Sequence, residues 1–173
     1  MNKKLLVVVD MQRDFLEGAL GTREAQALLP RVRERIEGAK AAGETVVFTR
    51  DTHDYDYLQT QEGKKLPVPH CIRGTEGWGI DPFLPSEGCR VFDKPTFGSR
   101  ALAAYAAEEG FAAVELIGVC TDICVLSNAV LLKAALPEAQ LVVDARCVAS
   151  NDDKANEEAL DMLQSVQVEV VGR

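Results

Sequence analysis

The segment GVCTDICV sets two cysteines four residues apart, Cys120 and Cys124, where an apolar run gives way to a helical pattern. Cys124 falls in the expected first turn of that helix. Unpaired backbone N–H groups and the positive dipole end favour a thiolate there, which makes Cys124 a candidate nucleophile. The same N–H groups, from Cys120 through Cys124, are candidates for an oxyanion hole. The spacing is not Cys-x-x-Cys and no second pair exists, which argues against a metal or redox pair. Cys71, Cys89 and Cys147 read as small buried hydrophobes, as most free cysteines are.

An attacking thiol needs a proton acceptor and a departing amine needs a donor. With only two histidines in the chain, a carboxylate is the economical choice. Asp10 ends the run LLVVVD, and Lys94 lies in DKPTFGS. Taken singly, the first reads as a loop acceptor and the second as a solvated lysine. Beside a thiol and a carboxylate, however, the ammonium is expected to lower the thiol pKa and hold both anions.

Both histidines, His53 and His70, sit in the long connection that follows the second apolar run, with Asp51 two residues before His53. Asp, His and His suit a divalent cation with open positions, a catalytic rather than structural arrangement. Glu62 is a candidate fourth ligand, with Asp54 and Asp56 competing. Zinc suits the donor set, and manganese or iron would accept it with added waters.

The elements that must position these groups follow from hydrophobic periodicity. Strands are expected at Leu5–Val9, Thr45–Thr49, Arg90–Phe92, Val114–Gly118, Leu141–Val143 and Val168–Val171. Helices are expected over Leu28–Ala42, stopped by Gly43, over Ser99–Glu108, from near Asp122 through Leu132, and around Ala155, Ala159, Met162 and Leu163. Strands alternating with helices predict a three-layer α/β/α fold with a doubly wound, mostly parallel six-stranded sheet, in one domain spanning residues 1–173. Ligands of such sheets bind outside the carboxyl ends of the strands. Asp10, Asp51, Lys94 and Cys120 with Cys124 all follow strands there. The 50–90 connection is long for an idle loop.

Composition narrows the partners. The chain has 173 residues, with 19 Lys and Arg against 27 Asp and Glu, a formal charge of −8 and a pI near 4.8. Such a field repels phosphate backbones and anionic headgroups, which argues against nucleic acid and membrane surfaces. No run approaches the roughly 18 apolar residues of a membrane span. The run Leu5–Val9, broken by Asp10, reads as a buried strand rather than a signal peptide. Five cysteines, an odd number without framework spacing, point to a cytoplasmic protein.

Together VVVDMQRDF, RDTH, PHCIRGTEGW, DKPTFGS and GVCTDICV resemble the isochorismatase-like cysteine hydrolase superfamily, most closely its nicotinamidase-related amidase branch, over nearly the whole chain. The resemblance implies that Asp10, Lys94 and Cys124 are catalytic and that Asp51, His53 and His70 hold the metal. It further implies that Phe15 lines the substrate pocket and that the Val119–Cys120 peptide is cis. The implied reaction is attack of Cys124 on a small-molecule amide, release of ammonia and hydrolysis of a thioester, with backbone N–H groups of Cys120 and Cys124 stabilising the oxyanion. A homo-oligomer is implied as well. One departure is LPVPHC, which lacks the aromatic residue that nicotinamidases commonly place before Pro-His-Cys; Trp78 and Phe97 are candidates to replace that wall. Carbamoyl or ureido amides are the alternative substrates, and a binding module of the same fold the alternative class. Vinyl-ether cleavage of isochorismate is disfavoured by the presence of Cys124.

Overall fold

A computed structural model describes residues 3–173; Met1 and Asn2, the first two positions of the expected domain, lie outside the described residues. Six strands are described: β1 (Lys4–Val9), β2 (Thr45–Asp51), β3 (Arg90–Lys94), β4 (Ala113–Val119), β5 (Gln140–Ala149) and β6 (Glu169–Val171). They form one sheet in the order β3-β2-β1-β4-β5-β6, with every pairing parallel. Strand order reverses direction at β1, so the crevice between the ends of β1 and β4 is the switch point at which doubly wound sheets bind ligands.

Helices α1 (Arg13–Leu16), α2 (Arg23–Ala41), α3 (Gln61–Lys65), α4 (Arg100–Glu109), α5 (Leu126–Ala135) and α6 (Asp153–Ser165) complete the described fold. Side chains of β1 alternate between two cores, as strand geometry requires. Leu5, Val7 and Val9 pack with Leu102 of α4, Leu132 of α5 and Leu163 of α6. Leu6 and Val8 pack with Leu28, Val32 and Ile36 of α2. Fully burying each such side chain is worth about 1.5–3 kcal/mol. The two helical layers are thereby fixed to opposite faces.

Several boundaries differ from the expected ones. Helix α2 begins at Arg23 rather than Leu28, because Thr22 accepts the Ala25 N–H and caps it; Pro30 lies on its exposed side. Strand β5 runs through Ala149, well past Val143. Its pairing with β4 shifts between Leu116 and Gly118, and the polar stretch around Asp144 and Arg146 hides the continuation. The helix expected from Asp122 opens as one π-helical turn, Thr121–Val125, before α5. The Val119–Cys120 peptide is cis.

Close packing at the switch point depends on Gly118, which has φ 113. A Cβ there would overlap the Val9 carbonyl. Only glycine lets β4 approach β1 this closely and keep the left-handed backbone. No helix among the described residues is long and apolar enough to cross a membrane.

Candidate active site

Asp10 leaves the end of β1 with φ 49 and is fully buried. A non-glycine residue at positive φ is uncommon and clusters at functional sites. Here the bend aims the carboxylate across the sheet edge rather than along it. Thr49 Oγ1 donates to Asp10 Oδ1 at 2.6 Å, while the Asp10 N–H donates to the Thr49 carbonyl at 3.3 Å. The other oxygen, Oδ2, lies 2.6 Å from Lys94 Nζ.

Lys94, the last residue of β3, is 1% exposed. Its ammonium lies 3.5 Å from Cys124 Sγ and 3.5 Å from Asp51 Oδ1, and donates to the Thr96 carbonyl at 3.2 Å. Burial alone would lower its pKa, but the charge of Asp10, with that of Cys124 whenever it ionises and that of Asp51, outweighs burial and raises it. That direction favours the charged ammonium at neutral pH. The acid, amine and sulfur expected from three distant stretches of sequence therefore meet around one ammonium.

Cys124 sits within the π-helical turn, where Ile123 and Val125 N–H groups donate to the Cys120 carbonyl at 3.2 and 3.0 Å. The Asp122 N–H donates to Ser150 Oγ at 3.3 Å. These bonds engage the Asp122 and Ile123 N–H groups of the expected Cys120–Cys124 set. Burial pushes the Cys124 thiol well above its ordinary value, and the Asp10 charge adds to that; Lys94 opposes both without reversing them. The expected low-pKa thiol is thus corrected. Lys94 acts in the anticipated direction, but a dry site and an adjacent carboxylate outweigh one ammonium. Burial likewise raises the Asp10 carboxyl, against the opposing charge of Lys94. A neutral thiol beside a carboxylate of increased basicity is the arrangement for proton transfer on attack, rather than for a standing thiolate.

Beside this group, Asp51, His53, Glu62 and His70 bring one donor atom each to within 4.8 Å of one another. Asp51 Oδ2 lies 3.0 Å from His53 Nε2 and 3.3 Å from His70 Nε2; Glu62 Oε1 lies 3.6 and 3.9 Å from the same nitrogens. Ligands about 2.1 Å from a tetrahedral zinc are about 3.4 Å apart, so this N2O2 set has suitable spacing. His70 Nδ1 donates to the Val68 carbonyl at 2.7 Å, which leaves Nε2 free to ligate. Burial would raise the Asp51 carboxyl, but the adjacent His53 and His70 imidazoles, with the Lys94 charge, hold it well below the ordinary carboxylate range. Of the competing carboxylates, Glu62 reaches the cluster. Asp54 and Asp56 are exposed, and Asp54 faces Arg73 at 3.6 Å.

The two groups open into one cavity of about 100 Å³, lined by Phe15, Leu20, Leu66, Phe97 and Ile123 together with Asp51, Glu62, His70, Cys120, Cys124 and Asn151. Phe15 and Phe97, two of the expected pocket residues, both line this cavity. Trp78 does not, which corrects the expectation. Its indole N–H donates to Thr52 Oγ1 at 2.9 Å, and the Arg50 guanidinium stacks 3.6 Å above its ring. Leu66, three residues before Pro69, stands in the cavity wall that an aromatic residue was expected to supply.

Two positioning residues escaped the sequence reading. Gln12 Oε1 accepts from the Asp51 N–H at 2.7 Å, and its Nε2 donates to the Asp51 carbonyl at 2.9 Å, fixing the Asp51 backbone. Asn128 donates to the Cys124 carbonyl at 2.8 Å and to the Phe97 carbonyl at 3.2 Å, while accepting from the Ser99 N–H. Both are buried amides with long-range partners, and only Gln12, inside VVVDMQRDF, lies in a motif stretch that could have drawn attention.

Residues 4–173 match the family model described as the isochorismatase domain. The chain is 27% identical to a nicotinamidase/pyrazinamidase of Mycobacterium tuberculosis, over 73% of this chain and 76% of that protein. Its fold matches a pyrazinamidase of Pyrococcus horikoshii in complex with zinc, with TM-score 0.85, 27% identity and 99% coverage of both chains. It also matches an N-carbamoylsarcosine amidase from Thermoplasma acidophilum, with TM-score 0.82 and 27% identity over 97% of this chain and 95% of that one.

Proposed function

The chain belongs to the isochorismatase family, and from that premise we propose that it hydrolyses the C–N bond of a small neutral carboxamide by cysteine catalysis, releasing ammonia. The observation that carries this reading is the placement of Lys94 Nζ, 2.6 Å from Asp10 Oδ2 and 3.5 Å from Cys124 Sγ. A binding module needs no such buried trio behind its cavity, with Cys124 alone of the three reaching the cavity wall.

In the proposed reaction Asp10 takes the Cys124 proton as sulfur bonds to the amide carbon. Backbone N–H groups of Cys120 and Cys124 receive the developing oxyanion, at about 3 kcal/mol per donor in comparable sites. Collapse breaks the C–N bond, and Asp10 returns the proton to the departing nitrogen, which leaves as ammonia. Water then attacks the thioester with Asp10 as base, releasing the acid and restoring the thiol. Lys94 holds both partners in register throughout and keeps the Asp10 carboxylate charged before attack.

Asp51, His53, Glu62 and His70 would hold a divalent ion, zinc being the first choice on the donor set and on the zinc complex of the Pyrococcus horikoshii relative. Such an ion supplies Lewis acidity toward a polar atom of substrate or its water. Glu62 and His70 line the cavity, so a substrate atom placed beside them would be oriented with its carbonyl toward Cys124.

Nicotinamide is the first substrate to try. Relatives named for nicotinamide and pyrazinamide support it, as do the ring-sized cavity and its walls of Phe15, Phe97 and aliphatic side chains. The N-carbamoylsarcosine amidase likeness keeps ureido compounds in view, but the cavity lining offers no lysine or arginine for a substrate carboxylate. The test is an ammonia-release screen over nicotinamide, pyrazinamide and carbamoyl amides, with and without chelator. Ammonia from a neutral amide is the expected result. No release from any amide in the zinc-loaded protein overturns the reading.

A further inference from the structure

Tyr57 opens the short 3-10 turn Tyr57–Gln59 and is 1% exposed. Its ring centroid lies 4.6 Å from that of His53 and 5.1 Å from that of His70, at interplanar angles of 57° and 77°. One aromatic side chain thus packs against both imidazoles of the proposed metal site.

The hydroxyl points to the same place by a second route. It donates to the Leu66 carbonyl at 2.8 Å, and that carbonyl also accepts the Val68 N–H at 2.8 Å. The Val68 carbonyl in turn accepts His70 Nδ1 at 2.7 Å. A hydrogen-bonded path therefore runs from Tyr57 Oη through the 66–68 backbone to the nitrogen of His70 that faces away from the cluster. Hydrogen bonds behind a metal-bound imidazole fix its tautomer and ring orientation. Leu66, held by the same hydroxyl, is also a wall of the cavity.

The turn that presents Tyr57 is itself braced. Thr60 Oγ1 donates to the Tyr57 carbonyl at 2.7 Å and accepts the Gly63 N–H at 3.0 Å. Gly63 packs so tightly on the Tyr57 carbonyl that a Cβ would collide with it. Glu62, the carboxylate that reaches the cluster, lies inside this braced segment.

We infer that Tyr57 is a positioning residue for the metal site, with its ring setting the orientation of His53 and His70 and its hydroxyl anchoring the 66–70 segment. This rests on the reading of Asp51, His53, Glu62 and His70 as metal ligands. An aromatic residue that merely filled the core would need neither the hydroxyl nor two imidazole neighbours.

The experiment is a zinc titration of the metal-free full-length protein against a competing chromophoric chelator, for the wild type, Tyr57→Phe and Tyr57→Leu, with circular dichroism to report folding. Tyr57→Phe keeps the ring and loses the anchor, so its zinc affinity should fall about 10-fold. Tyr57→Leu loses both and should fall about 100-fold, spanning the range for groups behind metal ligands. Saturating zinc should restore kcat to Tyr57→Phe. Wild-type zinc affinity in Tyr57→Phe overturns the inference, and so does a Tyr57→Phe chain that fails to fold, because the residue would then serve the core. A wild-type chain that binds no zinc fails the metal-ligand reading itself, a result distinct from tight binding left untouched by either substitution.

Discussion

The Lys94 ammonium and the Asp51 carboxylate stand 3.5 Å apart, Nζ to Oδ1, both buried. The proposed acid–base group and the proposed metal cluster therefore share a residue, since Asp51 turns its other oxygen to His53 and His70.

That sharing predicts a double effect of Asp51→Asn. Exchanging a charged oxygen of the proposed four-donor set for a neutral amide should weaken zinc binding by at least the 10–100-fold seen when only a supporting group is lost. Because the Asp51 charge also raises the Cys124 pKa, the same substitution should speed alkylation of Cys124 at neutral pH. Weaker zinc binding with unchanged Cys124 labelling would show that the two groups are independent. Labelling is read by mass spectrometry of the peptide carrying Cys124, in metal-free protein.

The thiol itself makes a prediction with a definite sign. Its pKa is raised by burial, then by Asp10, and the reactive form is the thiolate. Labelling by iodoacetamide should therefore keep rising about tenfold per pH unit through pH 8.5, where an ordinary thiol begins to level off. Asp10→Asn removes a charge that raises the pKa and should move the profile to lower pH. A plateau below pH 7 in the wild type would contradict the buried, neutral thiol described above.

Replacing the proposed nucleophile separates chemistry from architecture. Cys124→Ala should lower ammonia release by more than about 1,000-fold, since loss of a covalent nucleophile removes the reaction path rather than weakening it. The melting temperature should change little, because the Asn128 bond is to the Cys124 carbonyl and survives the substitution. Retained turnover would require another residue to attack.

How much of this could be read in the sequence depends on whether a residue's role is local. Asp10, Lys94 and Cys124 each end a buried apolar run or open a helix, and parallel strands deliver such ends to one edge, so their meeting was legible. Asp51 ends β2 in the same way, whereas His53 and His70 were legible only as the chain's two histidines, both in the long connection that follows it. Trp78 was misplaced because sequence position gives no direction for an indole on a loop, and Arg50 and Thr52 claim it. Gln12, Tyr57 and Asn128 went unread for a related reason. Each reaches a backbone group on a segment 9 to 39 residues away, a relation that hydrophobic periodicity does not report. Strand β5 was truncated because its polar residues fall where its pairing with β4 shifts.

Asn128 supplies a stability prediction. It is fully buried and satisfies three backbone groups, on Ser99, Phe97 and Cys124. Each buried group left without a partner costs about 1–3 kcal/mol. Even with partial rescue by water, Asn128→Ala should lose about 2–4 kcal/mol. At about 2–4 °C per kcal/mol for a domain of this size, the melting temperature should fall by roughly 4–16 °C. The turnover number should fall as well, because the same amide holds the Cys124 turn against the Phe97 wall. A melt within 1 °C of wild type would show that these bonds are replaced.

The two aromatic residues proposed for the missing wall now give opposite expectations. Phe97 lines the cavity and is 41% exposed at its mouth, so Phe97→Ala removes apolar contact with a bound ring but leaves the Lys94 group intact. At about 25 cal/mol per Å² of apolar area, losing roughly 40–60 Å² of contact is worth about 1–1.5 kcal/mol, a rise in KM of about 5- to 12-fold with kcat preserved. Trp78 instead braces the backbone behind the site: its carbonyl accepts from Gln12 Nε2 at 2.9 Å, and its indole is held by Thr52 and Arg50. Trp78→Phe keeps that carbonyl and most of the stacking surface. Its KM should therefore match the wild type, while its melting temperature drops by a few degrees for the lost indole hydrogen bond. Steady-state kinetics on the accepted amide decide the matter. A KM that moves with Trp78 and not with Phe97 would place the substrate on the opposite side of Asp51 from the cavity described here.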